Sequence, residues 1–536
     1  MTAATQADLL LRALAQTARE DVVELDRLDA VTGDGDFGST LGRGVRALAA
    51  DPPSGTVAAV LRAASERMSA AMGGSSGAFV GIGLLRAARA LHDAGEDDLT
   101  AAQIAAAVRA AVDGVTDLGG ARPGDKTFLD ALAPLADALD AGQDPVAAAA
   151  DGAASTREMT ARVGRSSYAG ERSKGEPDAG ATAVAATVRR LQDADDVPAW
   201  DALRGGPDAT QDEDDAAPTD GGFVNDPHDL VDEALDGLVS AHAETLAWLD
   251  GHRAVVRRDG PAGDRVAIVS GGGAGHEPLH ASFVGPGMLD AACPGAVFTS
   301  PSSAQIAAAA HAVAGEGGVL FVVKQYTGDV LNFRLAAELL ADDGIRSATV
   351  IVADDVALDA DAAVGRRGTG ATVAVERIAG AAAAAGRPLE DVRALAQRVA
   401  DAGRSFGVAL HGDEMELGVG IHGEPGRPRE PRVPADEIAR QLVAPLLPEL
   451  PAATEAPLLL QVSGLGGTPP LELHVLLRGV LATLRDDHGL TPARILTGDL
   501  VTSLDQAGAI VTLVPLDDET LAFWDAPLRT PALRWG

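Results

Sequence analysis

Residues 205–222 read GGPDATQDEDDAAPTDGG. The stretch is rich in Gly, Asp and Pro and almost free of apolar side chains, so burial cannot offset the entropy of ordering it. It reads as an acidic linker, with one domain over 1–204 and another over 223–536. The chain has 536 residues, more than one ordinary core, and two to four domains of ~100–200 residues are expected.

The two sides of the linker differ in texture. Before it, apolar residues recur at helical spacing from Ala7 to Leu28, and Ala/Leu-rich runs follow at 56–72, 78–93, 101–115, 127–140 and 145–163. No convincing strand appears, so this part is expected to be all-helical. After it, β-branched runs (Val266–Val269, Val319–Val323, Thr349–Val352) alternate with helical runs (Ala304–Val313, Leu335–Leu340). That alternation predicts α/β layers with a largely parallel sheet. A further change near residue 400 divides the second part into subdomains of about 223–400 and 401–536.

Composition excludes several classes of function. A formal net charge of −35 repels a phosphate backbone, so nucleic acid is not an expected partner. Aromatic residues are only 3% of the chain, so the cores must be built from Ala, Val and Leu in close contact. The one cysteine, Cys293, forms no internal disulfide and fits a reducing compartment. No signal segment and no apolar run of ~20 residues is visible, so a cytoplasmic protein without membrane contact is expected. The three lysines, Lys126, Lys174 and Lys324, all fall inside glycine- and hydroxyl-rich segments.

In the first part, Leu28-Asp29-Ala30-Val31-Thr32-Gly33-Asp34-Gly35-Asp36-Phe37-Gly38-Ser39-Thr40 places three carboxylates within eight positions after a helix. Such a cluster suits Mg²⁺ bridging to phosphates, or else a solvated acidic turn. The GxGxxG pattern inside it follows a helix rather than a strand, which argues against a dinucleotide fold. Met72-Gly73-Gly74-Ser75-Ser76-Gly77 offers hydroxyls and N–H groups to phosphate, or close helix packing. Gly119 to Thr127 is not a P-loop, because Asp125 stands where Gly is required. Gly164 to Gly175 has the length of a lid or a connector.

In the second part, Ser270-Gly271-Gly272-Gly273-Ala274-Gly275-His276 follows a strand, as ligand-binding loops do in α/β sheets. Lys324 and Asp329 follow another strand, and His422 is framed by glycines in Gly418–Gly426. A neutral imidazole at such a position is competent to attack an unhindered ketone.

These segments resemble the dihydroxyacetone kinase family, as a single-chain fusion of its nucleotide-binding (L-type) domain followed by its ketose-binding (K-type) domain. LDAVTGDGDFGST, MGGSSG, GDKTFLDAL and GRSSYAGERSKGEPDAGA carry the resemblance over about 8–192. FVNDPHDLVDEALDGLVSAH, VSGGGAGHEPLHASFVGPGML, VFTSPS, VKQYTGDVLNF, ELGVGIHGEPG and the tail segments GDLVTSLDQAG and DAPLRTPALRWG carry it over about 223–536. The resemblance implies an eight-helix barrel followed by a two-subdomain α/β part.

It implies two Mg²⁺ ions on Asp29, Asp34 and Asp36. ATP would lie along Phe37, Gly38, Ser39, Thr40, Ser75, Ser76, Gly119, Thr127, Phe128, Arg172, Asp178, Ala179 and Gly180. It implies ketose contacts from Gly273, Ala274, Gly275, His276, Lys324 and Asp329, a covalent hemiaminal on His422, and acid–base roles for His276 and Asp329. The implied enzyme is a phosphotransferase with an alcohol acceptor, acting on the terminal hydroxyl of dihydroxyacetone (glycerone) in glycerol metabolism, and a homodimer through the C-terminal domain. Alternatives are an erythrulose kinase, a kinase fed by a phosphotransfer protein, a flavin cyclase side activity, and a non-catalytic sugar or nucleotide sensor.

The chain departs from the family pattern at three places. Phe37 replaces a small or polar residue, and Ala179 replaces a proline. Val408-Ala409-Leu410 runs almost directly into His411-Gly412-Asp413-Glu414, where a longer loop is usual.

Overall fold

A computed structural model describes residues 2–31, 35–163, 170–204, 222–358, 365–450 and 456–536. The chain divides into two compact units, one of 1–213 with 302–304 and one of 214–301 with 305–536. The expected linker lies outside the described residues, Gly222 excepted.

The first unit is helical, with no strand among its described residues. Its helices are α1 (Ala3–Glu20), α2 (Val22–Asp29), α3 (Phe37–Ala50), α4 (Val57–Met72), α5 (Gly74–Ala90), α6 (Ala101–Gly119), α7 (Leu129–Ala141), α8 (Pro145–Ser155), α9 (Ala179–Arg190) and the short α10 (Trp200–Leu203). The helical run read over 7–28 is in fact two helices that meet at Asp21, and the run read over 145–163 stops at Ser155. From α3 to α9 each helix packs on the next, α9 packs on α1, and α1 packs on α3. The core is Leu11, Leu25, Leu41, Leu48 and Met68 set among alanines, with Phe37 packed against it.

Helix α3 begins inside a segment read as a glycine loop. Glycine costs a helix about 1 kcal/mol relative to alanine, yet packing demands it here. A Cβ on Gly38 would fall 2.5 Å from the Val22 carbonyl and 2.9 Å from Asp26 Oδ1, and one on Gly44 would meet Met72. Tertiary contact between helices therefore overrides local propensity.

The second unit is α/β. Its first sheet contains β1 (Leu246–Trp248), β2 (Val255–Arg257), β3 (Ala267–Ala274), β4 (Ala291–Val297), β5 (Val319–Lys324) and β6 (Ser347–Val352), in the order β1-β2-β4-β3-β5-β6. The four strands β4, β3, β5 and β6 are parallel, and β1 and β2 add an antiparallel edge. The second sheet contains β7 (Arg404–His411), β8 (Glu414–Leu417), β9 (Glu430–Pro431), β10 (Leu458–Gly464), β11 (Arg494–Asp499) and β12 (Gly508–Pro515), in the order β11-β10-β12-β7-β8-β9. Only its β10–β11 pair is parallel. A final hairpin joins β13 (Leu528–Arg529) to β14 (Arg534–Trp535).

The helices of this unit are α11 (Leu230–Ala241), α12 (Ser303–Val313), α13 (Thr327–Asp342), α14 (Ala371–Ala384), α15 (Leu389–Ala402), α16 (Ala435–Val443), α17 (Pro470–Ala482) and α18 (Asp518–Asp525). Both α14 and α15 pack on strands of both sheets. That position explains why every residue of α14 from Ala371 to Ala383 is buried: a helix enclosed on all sides has no polar face. Helices α16 and α17 cover a second core with Phe406, Leu442, Leu460, Leu473 and Val511. No described helix is long and apolar enough to cross a membrane.

Candidate functional site

The parallel strands β3, β4 and β5 end side by side, and their C-terminal ends gather the aromatic and ionisable residues of the α/β unit. In an open α/β sheet this is where ligands bind, because the loops leaving the strands diverge there. The glycines of β3 make room for neighbours. A Cβ on Gly271 would fall 2.5 Å from the Cys293 carbonyl, and one on Gly273 would fall 2.7 Å from the Phe298 backbone. At Gly272 the same space holds the Lys324 ammonium group. Gly275 has φ +95° and turns the chain into His276.

His276 is fully buried, and its Nδ1 lies 2.8 Å from the Thr502 carbonyl. A carbonyl only accepts, so Nδ1 carries the proton and Nε2 presents a lone pair. That Nε2 lies 3.0 Å from Nε2 of His422. Two ring nitrogens this close hold one proton between them. Burial, then the neighbouring His422 and Lys324, push His276 well below the ordinary histidine pKa.

His422 follows β8 and is fixed from the other side by Glu424. The His422 N–H donates to Oε2 at 2.8 Å, and its Nδ1 lies 3.2 Å from Oε1. Burial opposes the Glu424 charge, but the His422 hydrogen bond and charge outweigh it and hold the carboxyl at about 2. A Cβ at Gly420 would collide with the Glu424 carboxylate and Arg367. Arg367 pairs with Asp355 and donates to the Gly418 carbonyl at 2.9 Å, which braces the loop.

Aromatic rings enclose the pair. Tyr326 meets His422 edge-on at 4.4 Å between ring centres, and Phe298 stacks on His276 at 5.3 Å. Of the expected ketose residues, His276 and His422 thus come together directly. Lys324 and Asp329 lie behind them, fully buried, with Nζ 3.8 Å from Oδ2. The Tyr326 hydroxyl and Asp329 Oδ1 are buried without a hydrogen-bond partner among the described residues. Sequence reading assigned no role to Tyr326, Phe298, Glu424 or Thr502. All four lie inside quoted motifs, Thr502 in GDLVTSLDQAG, but only the fold shows that its carbonyl meets His276.

In the helical unit, most expected nucleotide residues sit at helix starts. Phe37, Gly38, Ser39 and Thr40 form the first turn of α3, Ser75 and Ser76 that of α5, and Ala179 and Gly180 that of α9. Unpaired N–H groups at such ends favour anions. Thr127 and Phe128 precede α7, Gly119 ends α6, and Arg172 lies in the single turn 170–173.

Asp29 Oδ2 accepts the Gly35 N–H at 2.9 Å and the Asp36 N–H at 3.3 Å. Asp34 lies outside the described residues, and among those described no three His, Cys, Asp or Glu side chains form a metal cluster. Ser39 is already engaged, donating from Oγ to Asp26 at 2.9 Å, a partner the sequence reading missed. Asp178 caps α9 through the Ala181 N–H at 2.7 Å. Burial pushes Asp178 up to about 7, against the Ala181 bond and Lys126, with Asp130 and Asp29 adding to the rise.

The three lysines have separate roles. Lys126 Nζ donates to the carbonyls of Thr156 and Glu176, both at 2.6 Å, and so ties together the two ends of the 159–175 segment. Lys174 pairs at the surface with Glu171. Lys324 alone lies beside the histidine pair's strand ends.

A buried imidazole and a half-buried one, braced by a carboxylate at converging parallel strand ends, define a binding centre for a small polar molecule within the α/β unit, while the helical unit carries its own clustered helix starts and carboxylates. Residues 236–532 match the Dak1 domain and residues 31–193 match the DAK2 domain. The chain is 40% identical over 354 residues to the dihydroxyacetone-binding subunit of the PEP-dependent dihydroxyacetone kinase of Escherichia coli (strain K12), covering 59% of this chain and 99% of that one.

It is 38% identical over 335 residues to the triokinase/FMN cyclase of Homo sapiens, covering 58% of each chain. The crystal structure of the dihydroxyacetone kinase from C. freundii in complex with AMP-PNP and Mg²⁺ superposes with a TM-score of 0.55 at 35% identity, over 58% of this chain and 60% of that one. The chain therefore belongs to the dihydroxyacetone kinase family, as a DAK2 domain followed by a Dak1 domain.

Proposed function

We propose that this protein is a kinase that phosphorylates the terminal hydroxyl of dihydroxyacetone, or of a closely related short ketose such as erythrulose, with Mg·ATP as donor. The observation that carries the reading is the His276–His422 pair braced on Glu424 at the strand ends.

His422 Nε2 adds to the ketone carbon, the C=O π electrons move to oxygen, and a proton from the imidazole pair ends on that oxygen. The product is a hemiaminal, which a polyol without a carbonyl cannot form. Buried Asp329 accepts the proton of the terminal hydroxyl as that oxygen attacks the γ-phosphorus of ATP, and the bond to the bridging oxygen breaks to release ADP. The unpartnered Tyr326 hydroxyl and Asp329 Oδ1 are suited to the hydroxyls of a ketose. Their desolvation, left uncompensated, costs more than a hydrogen bond returns.

The helical unit fits the nucleotide in donor chemistry. Asp29 and Asp36, with Asp34, would supply hard carboxylate oxygens for two Mg²⁺ ions. A Cβ on Gly73, Gly74, Gly120 or Gly124 would meet nothing within 4 Å, so the loops before α5 and after α6 leave open space. Bound there, ATP would supply the phosphoryl group and Mg²⁺ would neutralise its charge. The helix starts of α3, α5 and α9, with Thr127, Phe128, Gly119 and Arg172, would hold it. The return of α9 to α1 supports an eight-helix barrel. We assign the protein to the cytoplasm as a homodimer through the α/β unit, on the resemblance and the single buried Cys293.

The test is phosphorylation of dihydroxyacetone, erythrulose, glyceraldehyde and glycerol by the purified chain with Mg·ATP alone. Ketose turnover without glycerol turnover is expected, and His422→Ala should lose about 10³-fold in kcat/KM. A variant that kept its ketose efficiency would sink the covalent step.

A further inference from the structure

Behind the histidine pair lies a second buried line of ionisable groups with no place in the steps above. Lys324 Nζ, at the end of β5, is 2.8 Å from His280 Nε2. His280 Nδ1 is 2.5 Å from Glu376 Oε1, in the middle of α14. Lys324 and Glu376 are fully buried and His280 is 4% exposed. Ser270 on β3 donates its single hydroxyl proton to the Val322 carbonyl at 2.7 Å, and its oxygen lies 3.0 Å from His280 Nδ1. That oxygen is therefore left to accept, which favours the proton on Nδ1 and the lone pair on Nε2 toward the Lys324 ammonium.

The charged and titratable groups facing this line are Asp329 from α13, 3.8 Å from Nζ, and His276 from the loop after β3. Arg377, the next residue on α14, points elsewhere, to the carbonyls of Gly287, Trp524 and Ala526.

We propose that Lys324, His280 and Glu376 form a proton relay that removes the Lys324 charge when Asp329 takes up the substrate's proton. In one state Lys324 is an ammonium, His280 carries its proton on Nδ1 and Glu376 is a carboxylate. In the other, a proton has passed from Nζ to Nε2 while the Nδ1 proton has passed to Glu376 Oε1. Lys324 is then a neutral amine, His280 is protonated on Nε2 and Glu376 is a carboxylic acid. The proton count and the total charge are unchanged.

Asp329 decides between the two states. As a carboxylate it stabilises the ammonium. Once it takes the substrate's proton, Lys324 loses its counter-ion in a dry site, and the shift to Glu376 removes both remaining charges. His280 and Glu376 are thus positioning residues acting through Lys324. Burial makes the shift inexpensive: it raises Glu376 to about 8 and lowers Lys324, bringing the two closer.

The catalytic consequence rests on the kinase reading, but the relay itself is tested without turnover. In full-length chain labelled with ¹⁵N-histidine, His280 is assigned by the loss of its signal in His280→Asn, and its tautomer is read by long-range ¹⁵N–¹H correlation. At a pH above the value of about 8 to which burial raises Glu376, wild type should show Nδ1–H, and Asp329→Asn, which imitates the protonated acid, should show Nε2–H. The same tautomer in both would overturn the relay. In the ketose assay, Glu376→Gln should lower kcat about tenfold and move the pH profile of kcat while leaving ketose KM in place. An unmoved profile would also overturn it. A wild-type chain that phosphorylated no ketose would sink the kinase reading alone, and the tautomer comparison would still decide the relay.

Discussion

The two units hold their polar groups in opposite ways. In the α/β unit, His276, His280, Lys324, Asp329 and Glu376 are all at most 4% exposed; the last four are linked through side chains, and His276 meets the His422 side chain. In the helical unit the candidate residues stand at helix starts, and their partners are often backbone groups: Gly35 and Asp36 N–H on Asp29, the Ala181 N–H on Asp178, and two carbonyls on Lys126. Side chains buried against each other fix one geometry and one proton count. Helix ends with open space in front of them present dipoles to an anion without fixing its shape. The first arrangement suits a small ligand recognised atom by atom, and the second suits a phosphate chain.

The largest break in that contrast is expected at Gly420. Gly420→Ala must displace the Glu424 carboxylate and release His422, so ketose kcat/KM should fall about 10²-fold. Nucleotide binding by the helical unit, measured by calorimetry, should be unchanged. A smaller effect falls on the backbone-tied side. Lys126→Met leaves two carbonyls without their donor and should destabilise the helical unit by about 2–3 kcal/mol in denaturant unfolding. Lys174→Met, whose pair is at the surface, should leave the midpoint in place.

The smallest effect is a slope. Asp178 titrates near 7 in the folded chain and near the ordinary 3.8 when unfolded. Between those values the folded state binds the extra proton, so the stability this group contributes is present at low pH and is lost as pH rises from about 4 to about 7. Asp178→Asn should flatten that part of the melting-temperature profile. A profile identical to wild type would show that Asp178 is not raised in the folded chain.

The α/β strands were legible because β-branched runs mark them, and β5 and β6 lie within one or two residues of the runs read from sequence, whereas β3 runs on through the glycines read as a loop to Ala274, five residues past its run. Helix α3 was hidden, because Gly38, Gly42 and Gly44 look like a loop until the facing helix is known. The edge strands β1 and β2 have three residues each, too few to show alternation. In the candidate site, His276 and His422 stood out because glycines frame them. His280 and Glu376 did not, because one lies four residues past a more conspicuous histidine and the other sits in an alanine helix. A signal was present for Glu376: the charged pair Glu376-Arg377 interrupts Ala371–Ala384, where no polar face exists to receive it. Thr502 sits in the quoted segment GDLVTSLDQAG, but nothing there singles it out, because its role is a main-chain carbonyl delivered from 226 residues away.

The hairpin joining β7 to β8 is very short. His411 pairs with Glu414, and only Gly412, with φ +65°, and Asp413 make the turn. Both strands enter the turn already in register, and β8 leads within five residues to His422. The tip is therefore a natural graft point: a longer connection spliced between Gly412 and Asp413 would inherit anchored ends. Loop-bearing and loop-free versions of one catalytic scaffold become directly comparable, which turns a family difference in architecture into a controlled variable.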